Sequence, residues 1–93
     1  MAQSAIQSPN EFLYEDIPFT FSSSANQMGE KNVTSLIPTK NGYSVYGIQL
    51  IECNYSPMMT NVYKNGSNYW LSFLSLNALT NAQVKCRVTY IRN

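Results

Sequence analysis

Apolar and polar residues alternate along this chain in short runs with a period of two, and no helical period is sustained over ten residues. From Asp16, Ile17, Phe19 and Phe21 share one face of an extended segment whose other face shows Pro18 and Thr20. Pro18 has no N–H, so this strand is expected at a sheet edge or at its own first residues. Ser22 through Asn32 reads as a polar loop, and Val33 to Ile37 as a second short strand stopped by Pro38. Asn41-Gly42 offers two residues tolerant of positive φ, as a type I′ hairpin turn requires. After it, Tyr43 to Cys53 is the longest extended run. Tyr43, Val45, Ile51 and Cys53 fall on one face and Tyr46, Ile48 and Leu50 on the other. Apolarity on both faces predicts a strand covered on both sides, by a second sheet and by another subunit. Gly47 within it is expected to mark a bulge or a close backbone approach.

Asn54-Tyr55-Ser56-Pro57 is a turn-rich link into a strand from Met58 to Tyr63. A second Asn-Gly, in Lys64-Asn65-Gly66-Ser67-Asn68, then precedes the apolar run Tyr69 to Leu76, and this is the clearest hairpin in the sequence. The two Lys-Asn-Gly sites diverge at the residue that follows, Tyr43 against Ser67, and are read as independent turns. Asn77 to Ala82 forms a connection. The last strand, Gln83 to Ile91, points Val84, Cys86, Val88 and Tyr90 inward and Lys85, Arg87 and Thr89 outward. The fold class predicted is all-β: a small antiparallel β-sandwich or jelly-roll-like barrel of six to eight strands. Residues 1–15 carry no sustained period and are expected to be an N-terminal arm or linker, disordered or docked on a neighbour, leaving 16–93 as a single β domain.

The length of 93 residues allows one modest core. Asn and Ser occur 11 times each, Thr 6 and Gln 5, so 33 positions are uncharged polar against 11 charged ones. A net charge of +1 supplies no long-range field for a phosphate backbone, so a nucleic-acid partner is not expected. No apolar run is long enough for membrane insertion, and Met1-Ala2-Gln3-Ser4 has neither the basic nor the apolar region of a secretory signal.

Candidate chemistry is sparse. There is no histidine, so Ser-His-Asp and Cys-His pairs and two-His zinc motifs are excluded. Cys53 and Cys86 lie in strand-like segments and read as buried free thiols, with a single interstrand disulfide as the alternative. Two cysteines without histidine do not complete a zinc site. Of the five carboxylates, Glu11, Glu15, Asp16 and Glu30 lie in the arm or its vicinity or in the first loop, and only Glu52 falls near the long strands. A paired acid and base therefore has no evident basis, and no Asp-rich or Gly-rich loop is present for calcium or a nucleotide. Catalytic, metal and cofactor sites are accordingly none. Three Asn-X-Ser/Thr triplets, at Asn32, Asn54 and Asn65, are expected by chance in so Asn- and Ser-rich a chain.

The aromatic residues change the picture. Tyr55, Tyr63, Tyr69 and Trp70 are interleaved with Asn54, Asn61, Asn65 and Asn68. Aromatic faces and neutral hydrogen-bonding side chains are what holds a sugar, and Tyr with Ser and Asn also suits adaptable recognition surfaces. Tyr55, Tyr63, Asn68 and Trp70 are the candidate ligand-binding residues. Core or inter-subunit packing is the alternative for the same rings.

The stretch from Asn41 to Asn93 resembles the small C-terminal receptor-binding modules of bacteriophage tail-fibre and baseplate proteins, especially those of phages of Gram-positive hosts. The resemblance lies in Asn41-Gly42-Tyr43 followed by Val45, Gly47 and Ile48, in the Tyr/Asn-rich middle, and in the closing Val84-Lys85-Cys86-Arg87-Val88-Thr89-Tyr90-Ile91. It implies a β-sandwich head, commonly homotrimeric, that binds cell-wall saccharides or proteins without catalysis, with the arm as the end of a shaft or a linker. The expectation is a non-enzymatic virion protein at the tail or capsid surface, contacting other virion proteins and a host-surface saccharide or protein. Outward apolar residues such as Tyr46, Met58, Met59 and Ile91 would face neighbouring copies. Head decoration, fibre linking and a non-viral carbohydrate-binding module are the competing readings.

Overall fold

The structure, a computed structural model, describes residues 11–93. Six strands form two three-stranded antiparallel sheets: β1 (Phe12–Ser23), β2 (Gly29–Asn32), β3 (Tyr43–Cys53), β4 (Met59–Asn65), β5 (Asn68–Leu74) and β6 (Leu79–Arg92). The long sheet has the order β1-β6-β3 and the short sheet β2-β5-β4. The protein is a small antiparallel β-sandwich. Its core lies between the sheets and includes Phe19, Phe21, Leu71, Phe73, Val84, Cys86, Val88 and Tyr90. Each such side chain contributes roughly 1.5–3 kcal/mol through removal from water.

β6 supplies the centre of the long sheet, and its alternation is as the sequence predicts: Val84, Cys86, Val88 and Tyr90 are buried while Arg87 is exposed. β1 is an edge strand, a position that tolerates Pro18, and its Phe19 and Phe21 are buried. It starts four residues earlier than the predicted domain boundary at 16. Phe12, Leu13, Tyr14 and Glu15 pair with Ile91, Tyr90, Thr89 and Val88, so this part of the predicted arm belongs to the sheet. Leu13 packs against the core and the Glu15 carboxylate meets Lys40 Nζ, which anchors a stretch lacking an obvious apolar period. The remainder of the arm, residues 1–10, lies outside the described residues.

β3 packs one face on the core, and bulges decide which of its apolar residues lie there. Its pairing with β6 shifts between Val45 and Gly47 and again between Leu50 and Glu52, so Tyr46 and Ile51 are each an extra residue. Each bulge reverses the side-chain parity. Tyr43, Val45, Ile48, Leu50 and Cys53 consequently all pack on the core. Of the apolar residues that simple alternation spreads over two faces, Tyr46 and Ile51 are the ones left off the core face once the bulges are placed. Gly47 sits at the first of them, as its position suggested.

The region before β3 also differs from expectation. The predicted strand over Val33–Ile37 is a 3-10 turn, Thr34–Leu36, and the strand lies just upstream, over Gly29–Asn32, inside the predicted loop. The Asn32 Oδ1 accepts the Thr34 N–H at 3.0 Å, ending β2 by drawing the chain into the turn. Val33 and Ile37 are nonetheless buried core residues. The Asn41-Gly42 turn is not a hairpin. Lys40 O accepts the Tyr43 N–H at 3.0 Å, only Gly42 has positive φ, and the strand that follows pairs with β6 rather than with its predecessor. A single left-handed residue at the third turn position is the type II requirement, not that of type I′.

Asn65 and Asn68, by contrast, face each other across a two-residue β4–β5 loop in which Gly66 has φ of 66°. Positive φ at the first loop residue alone is the type II′ arrangement, whose twist matches the flanking strands. The register it fixes is unbroken from Asn65↔Asn68 to Met59↔Leu74, and this pairing positions the candidate site.

Candidate functional site: the open face of the short sheet

Pairing partners in an antiparallel ladder share a face. Tyr63 stands opposite Trp70, which in turn stands opposite Asn32, so the three form a row across β4, β5 and β2. The next row is Asn61, Ser72 and Glu30. Asn65 and Asn68 close the face at the hairpin. The intervening residues Leu71, Phe73 and Val62 pack inward, so this second face is turned to solvent. Tyr63 and Trp70 are half-buried, each with its flank on the sheet, while Asn61, Asn65, Asn68, Asn32 and Glu30 are exposed. Ser72 is 4% exposed and forms the floor between its taller neighbours.

The hydrogen bonds give this face a fixed part and an available part. The Tyr63 hydroxyl donates to Glu30 Oε2 at 2.7 Å, linking the two edge strands over β5. That contact pushes the Tyr63 phenol above its ordinary value, because deprotonation would set a second negative charge beside the carboxylate. Asn68 Oδ1 accepts from Thr34 Oγ1 at 3.3 Å and weakly from Asn32 Nδ2 at 3.5 Å, which orients the Asn68 amide. Aromatic surface thus lies beside amide and carboxylate groups with spare hydrogen-bonding capacity, on rigid strands. This chemistry suits a ligand with an apolar ring face and peripheral hydroxyls.

Three of the four candidate residues, Tyr63, Asn68 and Trp70, come together on this face. Tyr55 does not join them. It follows β3, packs edge-on against Phe21 with ring centroids 5.5 Å apart, and shares a 2.6 Å hydrogen bond between its hydroxyl and Thr60 Oγ1. Its half-burial against the core pushes its phenol up. The nearby Tyr69 likewise faces the core side, with Lys64 Nζ 5.8 Å from its ring centroid. Glu30 and Asn32 were not recognised as site residues in the sequence, because Gly29-Glu30-Lys31-Asn32 has little strand propensity. β2 exists through its pairing with β5 rather than through its own composition.

Concave regions also lie elsewhere among the described residues. A cavity of about 290 Å³ is bounded by the 34–40 segment, Tyr43, Val45, Tyr69 and Tyr90. Its Lys40 is engaged by Glu15, and the Tyr90 hydroxyl donates to Pro38 O at 2.6 Å, so these two groups hold the segment down. A polar groove of about 450 Å³ runs between Ser22 and Glu30 over Phe73 and borders the open face at Glu30. Cys53 and Cys86 are free thiols; Cys86 is buried and Cys53 half-buried, which agrees with the thiol reading rather than a disulfide. Burial pushes the Cys86 thiol up to about 11, with a smaller contribution from Cys53.

Fold and face together define a class: a small all-β sandwich presenting an aromatic and amide sheet surface on its shorter layer. No family model, curated protein or solved structure matches the chain.

Proposed function

We propose that this chain is a non-enzymatic recognition domain of a bacteriophage virion, of the tail-tip kind, that holds a host-surface saccharide on the open face of the short sheet. The observation that carries the reading is the Tyr63–Trp70 pair flanked by Asn61 and Asn68. Stacking of a sugar's C–H face on such rings, with hydrogen bonds from its hydroxyls to the amides, needs no charge and no cofactor. The viral context rests on the resemblance of residues 41–93 to tail-fibre and baseplate modules. Capture of host cell walls or immobilised glycans tests the binding. Trp70→Ala and Tyr63→Ala are expected to abolish it, and retention by both would refute this choice of face.

Assembly is part of the proposal. Two apolar groups are exposed: Phe12, Tyr14 and Tyr46 near one end of the long sheet, and Met28, Met58 and Leu76 in the loops at one end of the short sheet. Phe12 and Tyr46 meet edge-to-face at 5.8 Å on the outer side. Such surfaces suit contacts with copies of the chain, in a homotrimer, or with other virion proteins. They also support the second reading, a head-decoration or fibre-linking protein. Stoichiometric binding to capsids without binding to cells would favour that reading; light scattering giving a monomer would remove the trimer.

A further inference from the structure

The open face carries an uneven distribution of charge that bears on which saccharide it takes, and this inference rests on the saccharide reading above. At the outward positions of β2, β4 and β5, Glu30 is the one ionised side chain. The two lysines of these strands are turned the other way by the alternation. Lys31 pairs with the buried Leu71, and its ammonium donates to Thr20 O on the long sheet. Lys64 pairs with Tyr69 and lies over its ring. No cation on these strands therefore stands beside Trp70 to offset a negative ligand.

Glu30 is also held in place. Oε2 accepts the Tyr63 hydroxyl proton, and no other hydrogen bond or ion pair engages the carboxylate among the described residues. Oε1 retains its acceptor capacity, and a carboxylate accepts from hydroxyl or ammonium donors more strongly than a neutral amide does. A sugar hydroxyl or ammonium directed at Glu30 gains a charge-assisted bond. A sugar carboxylate, sulfate or phosphate meets a like charge that stacking on Trp70 partly removes from water.

We propose that the open face selects non-anionic saccharides, neutral or amino sugars with donors directed at Glu30, and discriminates against anionic glycans. Like charges about 4 Å apart at a wet surface repel by enough to weaken binding roughly fivefold, and by more as water is displaced.

The test is titration of the full chain with three sets of soluble oligosaccharides: neutral hexose oligomers, hexosamine oligomers, and uronic-acid or phosphate-bearing oligomers. The proposal expects the first two sets to bind and the third to bind at least about fivefold more weakly at low salt, with the gap narrowing as salt is raised. Glu30→Gln, an exposed substitution that keeps shape and removes charge, is expected to bring anionic and neutral affinities together. Anionic oligomers binding as tightly as neutral ones to the wild type, or an unchanged ratio in Glu30→Gln, would overturn the selectivity. Failure of all three sets to bind would overturn the saccharide reading itself.

Discussion

Gly29 of β2 lies directly against the ring of Phe73 of β5: a Cβ at Gly29 would stand 2.2 Å from Phe73 Cε2. The ring has little freedom to withdraw, because its other face stacks on Phe21 with centroids 3.9 Å apart, and Phe73 is buried. The glycine is thus what lets β2 approach β5 closely enough to place Glu30 on the open face. Gly29→Ala is expected to destabilise the protein by about 1–3 kcal/mol, read as a lower urea midpoint with an unchanged denaturant slope. It should also weaken glycan binding, since its neighbour Glu30 moves with it.

The bulges in β3 give a sharper test of the fold. Without the first bulge Tyr46 and Ile48 would share a face; with it Tyr46 is exposed and Ile48 packs on the core. Ile48→Ser, which takes a partly buried apolar side chain out of the core, should cost roughly 1–3 kcal/mol. Tyr46→Ser, which keeps the extra residue, should cost little, because Tyr46 is 67% exposed. Equal midpoints for the two substitutions in chemical denaturation would contradict the assigned register.

These elements also show where the sequence was legible. β6 and the β4–β5 hairpin were readable because clean alternation and a Gly66 turn state both face and register locally. β3 was readable in its extent, Tyr43–Cys53, but not in its faces, since a bulge leaves no mark in the apolar pattern beyond Gly47. β2 was not readable at all: Gly-Glu-Lys-Asn becomes a strand because β5 offers an open edge and Phe73 covers the glycine. The candidate site inherits this division. Tyr63, Asn68 and Trp70 lie on the readable hairpin, Glu30 lies on the unreadable strand, and Tyr55 stands apart from them because proximity in sequence does not show that its ring turns to Phe21.

That difference predicts a separation of effects. Tyr55→Ala removes packing against Phe21 and the hydrogen bond to Thr60, and should lower stability by about 2–4 kcal/mol while the folded fraction still binds glycan. Trp70→Ala should do the reverse, with a smaller loss of stability and loss of binding. Paired thermal melts and glycan titrations of the two variants check this.

Stability should fall in alkali. The Cys86 thiol titrates near 11 in the folded protein against an ordinary 9.0, chiefly because it is buried. The unfolded chain therefore loses this proton first as pH rises past 9.0. The folded state keeps its full advantage below that pH and loses it progressively up to about 11, by roughly 2–3 kcal/mol. The raised phenols of Tyr55, Tyr63 and Tyr90 act in the same direction above pH 10.0. Urea midpoints measured at pH 8 and pH 10.5 should show the drop, and Cys86→Ala should make it smaller.

The proposed binding surface is the open face of the short sheet, and chemical-shift mapping during titration with a neutral oligosaccharide tests it most directly. The Trp70 indole N–H and the side-chain amides of Asn61, Asn65 and Asn68 are expected to shift first and saturate together, with the core-facing Tyr55 and Tyr69 unmoved. Shifts confined to Tyr43, Tyr90 and the 34–40 segment around the apolar cavity would contradict it.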